Sequence, residues 1–176
     1  GGRHRVIPDR IEGGTYLIGA ALTGGDVTLT ESQPAALLPL LEALTGCGAE
    51  VTRGEDWVRV TRAGDLSSRD VVTAPYPGFP TDLQAQYVAL MTQARGVATV
   101  IETVFENRMQ HVAELARMGA DIRLDGRTAR IHGPTRLSGA SVMATDLRAS
   151  ACLVLAGLAA EGETVVDRIY HLDRGY

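Results

Sequence analysis

One block of pattern occurs twice in this chain with the same internal spacing, and that recurrence limits the possible folds more than any single residue does. Gly25 opens GDVTLTESQPAALLPLLEALTGCGAEV, and Gly96 opens GVATVIETVFENRMQHVAELARMGADI. In each block a β-rich stretch gives way to a helical pattern and then to a Gly-Ala-acid-aliphatic step. The second glycine follows the first by 23 residues both times, Gly25 to Gly48 and Gly96 to Gly119. Upstream, helical stretches open on Pro8-Asp9-Arg10, Thr81-Asp82-Leu83 and Thr145-Asp146-Leu147, so three units are visible, over about 5–62, 78–132 and 141–176. From Gly162 on, the third unit carries only GETVVDRIYHLDRGY, too little to repeat the Gly-Ala step, and it reads as a truncated unit of a longer protein.

Within the first unit the pattern predicts a strand over 26–30 and a helix from near Ser32, with Pro34 in its first turn. Leu37, Leu40, Leu41 and Leu44 form its apolar stripe, and Gly48 is its stop. Strands over 49–53 and 57–61 follow. The second unit repeats this with a strand over 97–104, a helix through Val112, Leu115 and Met118, and strands over 120–124 and 128–132 that turn at Asp125-Gly126. Segments 63–78 and 133–141, rich in Gly, Pro, Ser and Asp, read as linkers. The chain is therefore α/β. The stretches 16–22 and 149–160 are apolar nearly all round, which predicts helices buried on every side, with the sheets outside them. That arrangement inverts the usual barrel.

Composition narrows the function. The 176 residues are 45% hydrophobic and 22% charged, enough for a sizeable core. All 17 basic residues are Arg, against 21 acidic ones, and a net charge of -4 gives no support for a nucleic-acid partner. The longest apolar run has 12 residues, short of the roughly 20 a membrane-spanning helix needs. The opening GGRHRVIPDR has no export pattern, so the expected compartment is the cytoplasm. Neither cysteine suits a reactive thiol: Cys47 falls at a helix C-terminus and Cys152 inside an apolar run, and both settings favour the neutral form. His4, His111, His132 and His171 show no metal-ligand spacing, and there is no P-loop, so no cofactor or metal is expected.

Three polar groups of residues remain as candidates for chemistry. Thr81-Asp82-Leu83-Gln84 fits a capping box, and an acid in a first turn complements the helix dipole, so the residues alone favour a structural role for Asp9, Asp82 and Asp146. Phe105-Glu106-Asn107-Arg108 stands where a strand hands over to a helix, a place where α/β proteins hold anions. Asn107 as a helix cap with Arg108 in solvent is the equally good structural reading. The tail from Asp167 to Tyr176 is dense in polar groups, Arg168 and Arg174 among them, and Arg suits a bidentate grip on phosphate or carboxylate.

Taken together, RVIPDRIEGGTYLIGAA, APYPGFPTDLQAQ, ETVFENRMQHVAELARMGADI, LSGASVMATDLRAS and VDRIYHLDRGY closely resemble the bacterial UDP-N-acetylglucosamine 1-carboxyvinyltransferases, or enolpyruvyl transferases, over essentially the whole chain. The resemblance implies an enzyme that moves enolpyruvate from phosphoenolpyruvate to the 3-hydroxyl of UDP-N-acetylglucosamine and releases phosphate, the first committed step of peptidoglycan synthesis. It implies an inverted α/β barrel of the enolpyruvyl transferase type, two domains of three similar units each, with the site in the cleft between them. By motif, Asp82 corresponds to the aspartate that holds the sugar hydroxyl and acts as its base, Val104 to a backbone contact for the nucleotide sugar with Phe105 beside it, and Arg108 to positive charge near the anionic substrates. Asp146 corresponds to a second cleft acid with Arg148 beside it, and Arg174 to the arginine that reaches phosphoenolpyruvate on closure. The family's mobile-loop cysteine and its lysine belong to the other domain, and this chain has no Lys and no cysteine in a matching motif. The chain is thus expected to be most of one domain, inactive without its catalytic partner domain. Two other functions stay open on these residues: a non-catalytic nucleotide-sugar-binding module, and the sister transferase that makes enolpyruvylshikimate phosphate.

Overall fold

The computed structural model describes residues 1–174, and the side chains of Ala149, His171 and Arg174 lie outside the described set. Asp9 opens the first helix, α1 (Arg10–Thr23), accepting from the backbone N–H groups of Ile11 and Glu12 at 2.7 and 3.2 Å. Then come β1 (Asp26–Leu29), a 3-10 turn over Pro34–Leu37 that runs into α2 (Leu38–Cys47), β2 (Glu50–Arg53) and β3 (Val58–Thr61). The second unit holds β4 (Val71–Val72), a 3-10 turn over Thr81–Leu83, α3 (Gln84–Met91), β5 (Gly96–Ile101), α4 (His111–Arg117), β6 (Asp121–Asp125) and β7 (Thr128–Gly133). The third holds β8 (Ser141–Met143), α5 (Leu147–Ala159), β9 (Val165–Asp167) and a 3-10 segment over Ile169–Arg174.

The repeat read from glycine spacing is a repeat of hydrogen-bonded register. The first sheet has the order β1-β3-β2, and the second carries the same order as β5-β7-β6 with β4 added at its edge. Asp26 pairs with Thr61, which pairs with Glu50; one unit later Val97 pairs with His132, which pairs with Asp121. Gly48 and Gly119 end α2 and α4 in the left-handed region, at φ 99° and 94°. In the first unit the left-handed glycine is Gly24, φ 75°, one residue before Gly25, whereas in the other two Gly96 and Gly162 themselves are left-handed. Segments 63–78 and 133–141 do more than link. Val71 and Val72 form β4, parallel to β5, and β8 pairs in the same parallel sense with β9. The strand over 97–104 is shorter than its β-branched run suggested, because at Glu102 the chain leaves the ladder to turn.

The core sits on α3. All eight of its residues are buried, Gln84 and Gln86 included, and α1 and α5 pack against it. The buried polar pair is partnered on its donor side: Gln86 Nε2 donates to Thr15 Oγ1 of α1 at 3.1 Å, and Gln84 Nε2 reaches Met109 Sδ at 2.8 Å. The sheets lie outside, one face inward: Val58 and Val60 of β3 are buried while Arg59 is in solvent, and Ala129 and Ile131 of β7 are buried around the exposed Arg130. The inverted α/β arrangement therefore holds. One expectation is corrected. α1 and α5 are not enclosed on every side, since Tyr16 is 55% and Leu158 64% exposed. With Gly19, Ala20, Val154 and Leu155 they line an apolar groove of about 360 Å³. The helix without a solvent side is α3, whose two glutamines hid it from a hydropathy reading.

Both cysteines are buried. Cys47 Sγ lies 3.4 Å from Tyr87 OH, where α2 meets α3, and burial pushes the thiol up, as it does for Cys152. Because Gly48 and Gly119 occupy backbone that a Cβ disfavours, Gly48→Ala and Gly119→Ala are each expected to cost about 1–2 kcal/mol in urea unfolding. Gly126→Ala in the β6–β7 turn, also at positive φ with nothing near its missing Cβ, serves as the uncrowded reference.

Candidate active-site cleft

Three chain segments meet where the second and third units adjoin: the entry to α3, the turn after β5 and the start of α5. They line an open cleft of about 650 Å³ that holds Asp82, Phe105, Asn107, Arg108, Asp146 and Arg148. Arg108 is the organising side chain. Its Nη2 donates to Asp82 Oδ1 at 2.6 Å and its Nη1 to Thr81 Oγ1 at 2.9 Å. Its guanidinium lies 4.7 Å from the centroid of the Phe105 ring, which it covers. Arg148 Nε stands 3.5 Å from the same Asp82 oxygen. Both arginines are mostly buried and Asp82 is partly open, so a carboxylate and two planar cations share one recess.

Asp146 caps α5, accepting from the Arg148 backbone N–H at 2.8 Å, while Ser150 Oγ donates to the Asp146 carbonyl. For Asp9 and Asp146, then, the helix-terminus reading holds. For Asp82 it fails. No side chain caps the turn that opens α3, Thr81 Oγ1 donates to Glu102 Oε2 at 2.8 Å instead, and Gln84 turns to Met109. The capping box is absent because the carboxylate of Glu102, 21 positions along the chain, attracts the threonine hydroxyl more strongly than a backbone amide does. Asn107 does not cap α4 either; that helix starts at His111, and Arg108 points to Asp82 instead of solvent.

Val104 stands just outside the cleft lining with its backbone N–H donated to Glu102 Oε1 at 2.8 Å. The side chain of Arg174 lies outside the described residues. Glu102 and His111, which no motif singles out, are both buried behind this cleft. Glu102 had a legible signal, an acid ending the β-branched run VATVI; His111 had none. Burial, more than any neighbour, pushes the His111 imidazole down to about 4, with Asp146 drawing it up and the Arg108 charge opposing.

The comparisons with known proteins agree with this architecture. The family model described as EPSP synthase (3-phosphoshikimate 1-carboxyvinyltransferase) matches residues 1–176. The chain belongs to the EPSP synthase family. It is 63% identical to UDP-N-acetylglucosamine 1-carboxyvinyltransferase of Allorhizobium ampelinum and 60% identical to that of Rhodopseudomonas palustris, in both cases over 100% of the chain and 41% of the relative. The chain thus spans about two fifths of the curated relatives it matches. Among solved structures, the enolpyruvyl transferase NikO of Streptomyces tendae superposes with a TM-score of 0.90 at 31% identity, covering 97% of this chain and 41% of that one. EPSP synthase of Acinetobacter baumannii, at a TM-score of 0.73 and 19% identity over 94% of this chain and 40% of that one, shares the fold. Among the described residues, no helix is long and apolar enough to cross a membrane.

The buried imidazole generates a pH prediction. Its pKa in the folded chain lies below the ordinary 6.5, so between the two values the unfolded chain binds a proton that the folded chain does not. Stability from this group is complete above about pH 6.5 and is lost as the pH falls toward about 4, by about 3 kcal/mol in all. Urea unfolding of wild type and His111→Phe at about pH 7 and about pH 4.5 checks it: the wild type should lose more stability on acidification than the variant.

Proposed function

We propose that this chain forms one wall of the active site of a UDP-N-acetylglucosamine 1-carboxyvinyltransferase, which transfers enolpyruvate from phosphoenolpyruvate to the 3-hydroxyl of the nucleotide sugar and releases phosphate. The observation that carries the proposal is the pairing of Asp82 Oδ1 with Arg108 at 2.6 Å and Arg148 at 3.5 Å inside an open cleft. The chemistry asks for these groups. The sugar hydroxyl must give up its proton to become a nucleophile, and the Asp82 carboxylate is the acceptor in reach. Phosphoenolpyruvate brings a phosphate and a carboxylate, anions that fit the planar forks of Arg108, Arg148 and, by its motif, Arg174. The same cations stabilise the phosphate that leaves. Asp146 fixes the start of α5 and with it Arg148. The Val104 carbonyl and the Phe105 side chain hold the nucleotide sugar. The identity to named relatives favours this reading over the shikimate-branch transferase.

The relatives are more than twice as long, and the remaining parts of the enzyme belong to the reading. The cysteine-bearing partner domain closes the cleft from the other side. The second helix of the third unit covers the groove between α1 and α5. Internal symmetry supports that placement: α2 leans on α1 and reaches α3 through Cys47 and Tyr87, and α4 leans on α5 and reaches α3 through Met109 just before it, so the α1–α5 groove is the third such position. The reaction serves peptidoglycan synthesis in the cytoplasm, and through it cell shape and division.

Calorimetric titration of the chain with UDP-N-acetylglucosamine, with shikimate 3-phosphate as the control, tests the reading. Saturable binding of the nucleotide sugar is expected, with no phosphate release from phosphoenolpyruvate by this chain alone. Loss of a charged hydrogen-bonding partner costs about 1.5–3 kcal/mol, so Asp82→Ala should weaken binding by about tenfold or more. Preference for shikimate 3-phosphate would overturn the assignment.

A further inference from the structure

The carboxylate most completely enclosed in this region is not one of the cleft acids. Glu102 is 1% exposed, at the point where β5 ends, and among the described residues no ion pair offsets its charge. Four donors do so instead. Oε1 accepts from Thr73 Oγ1 at 2.9 Å and from the backbone N–H groups of Val104 and Phe105 at 2.8 and 3.0 Å. Oε2 accepts from Thr81 Oγ1 at 2.8 Å, and that hydroxyl in turn accepts from Arg108 Nη1 at 2.9 Å. A carboxylate with no proton only accepts, so it fixes the direction of the Thr81 hydroxyl and turns its lone pair toward Arg108.

We infer that Glu102 is a positioning residue for the cleft: one oxygen sets the Val104–Phe105 turn, and the other sets Arg108 through Thr81. A buried carboxylate that only closed a strand end could take its donors from anywhere nearby. Here three of the four donors belong to groups that build the cleft: the turn bearing Phe105 and the hydroxyl that orients Arg108. Thr73, the residue just after β4, anchors the arrangement, receiving the Thr103 N–H at 2.9 Å and presenting its own carbonyl to Thr103 Oγ1. The consequence is a recognition surface set before any ligand arrives, with Arg108 held toward Asp82.

The ligand part of the test rests on the nucleotide-sugar reading, and the other part does not. Amide hydrogen exchange at Val104 and Phe105, the Arg108 side-chain N–H resonances and the urea midpoint are followed by NMR and unfolding in wild type, Glu102→Gln, Thr81→Ser and Thr81→Val. UDP-N-acetylglucosamine is then titrated into each. Glu102→Gln keeps the shape but presents an amide NH2 to one set of donors. It should speed exchange at Val104 or Phe105 by about tenfold beyond any change at Val100 and shift the Arg108 resonances. It should also weaken nucleotide-sugar binding by about tenfold. Thr81→Ser, which keeps the hydroxyl, should bind as wild type does, and Thr81→Val should bind like Glu102→Gln. Unchanged exchange and unchanged Arg108 resonances in Glu102→Gln, or equal binding by Thr81→Ser and Thr81→Val, overturns the inference. If Glu102→Gln does not fold, the Thr81 pair decides. If wild type fails to bind the nucleotide sugar, the proposed function fails for this chain, and the exchange and resonance measurements still decide the role of Glu102.

Discussion

A helix without a solvent-facing side has to be wrapped, and the burial of α3 is the constraint from which the rest of this structure follows. All eight of its residues are out of water, so every direction around it must be covered by another element. α1 and α5 cover it as helices, α2 and α4 fill the spaces beside them, and the sheets close the outside with one face inward and a row of arginines and acids outward. The polar side chains of α3 are tied down in consequence. Gln86 holds Thr15 of α1, and Gln84 holds Met109 beside the cleft. The residues that open α3 sit at the mouth of the same packing, so Thr81 and Asp82 are placed by the core beneath them.

The cleft shows the same economy in its charges. Asp82 and Arg108 lie in different segments of one unit, and Arg148 comes from the next. The ion pairs thus join the second and third units inside the open cleft. Outside the cleft, ion pairs such as Arg59 with Asp26 and Arg127 with Glu106 are exposed cross-strand or loop contacts of little energetic weight. The partly buried set around Asp82 is different in kind, because Arg108 lies over the Phe105 ring and both of its cations are mostly out of water.

Much of this was legible in the sequence because periodicity and glycine spacing are local signals. The 23-residue glycine interval foretold two sheets with one register, and the leucine stripe ending at Gly48 foretold α2. Other features were hidden because they depend on contacts distant along the chain. Thr81-Asp82-Leu83-Gln84 satisfies a capping rule written for local partners, yet Thr81 is claimed by Glu102 and Asp82 by Arg108. Gln84 reads as a capping partner, yet its amide goes to Met109, and the burial of Gln86 depends on Thr15, 71 positions away. β4 was lost in a stretch of Gly, Pro and Ser, since a two-residue strand that pairs in parallel with a later one leaves no period to detect.

That short strand changes what the boundary between units means. β4 arrives from the segment that leaves the first sheet and completes the edge of the second, and β8 does the same for β9. The second and third units therefore each take an edge strand from the chain that leads into them, which ties each to the unit before it. Cutting before residue 78, where composition starts the second unit, would strip β4 from its sheet and leave the edge of β5 unpaired. Duplication of such a unit yields a stable array only if the connecting segment is duplicated along with it. The repeating module is accordingly best counted from the connector into its sheet, one step earlier along the chain than the glycine spacing alone would place it.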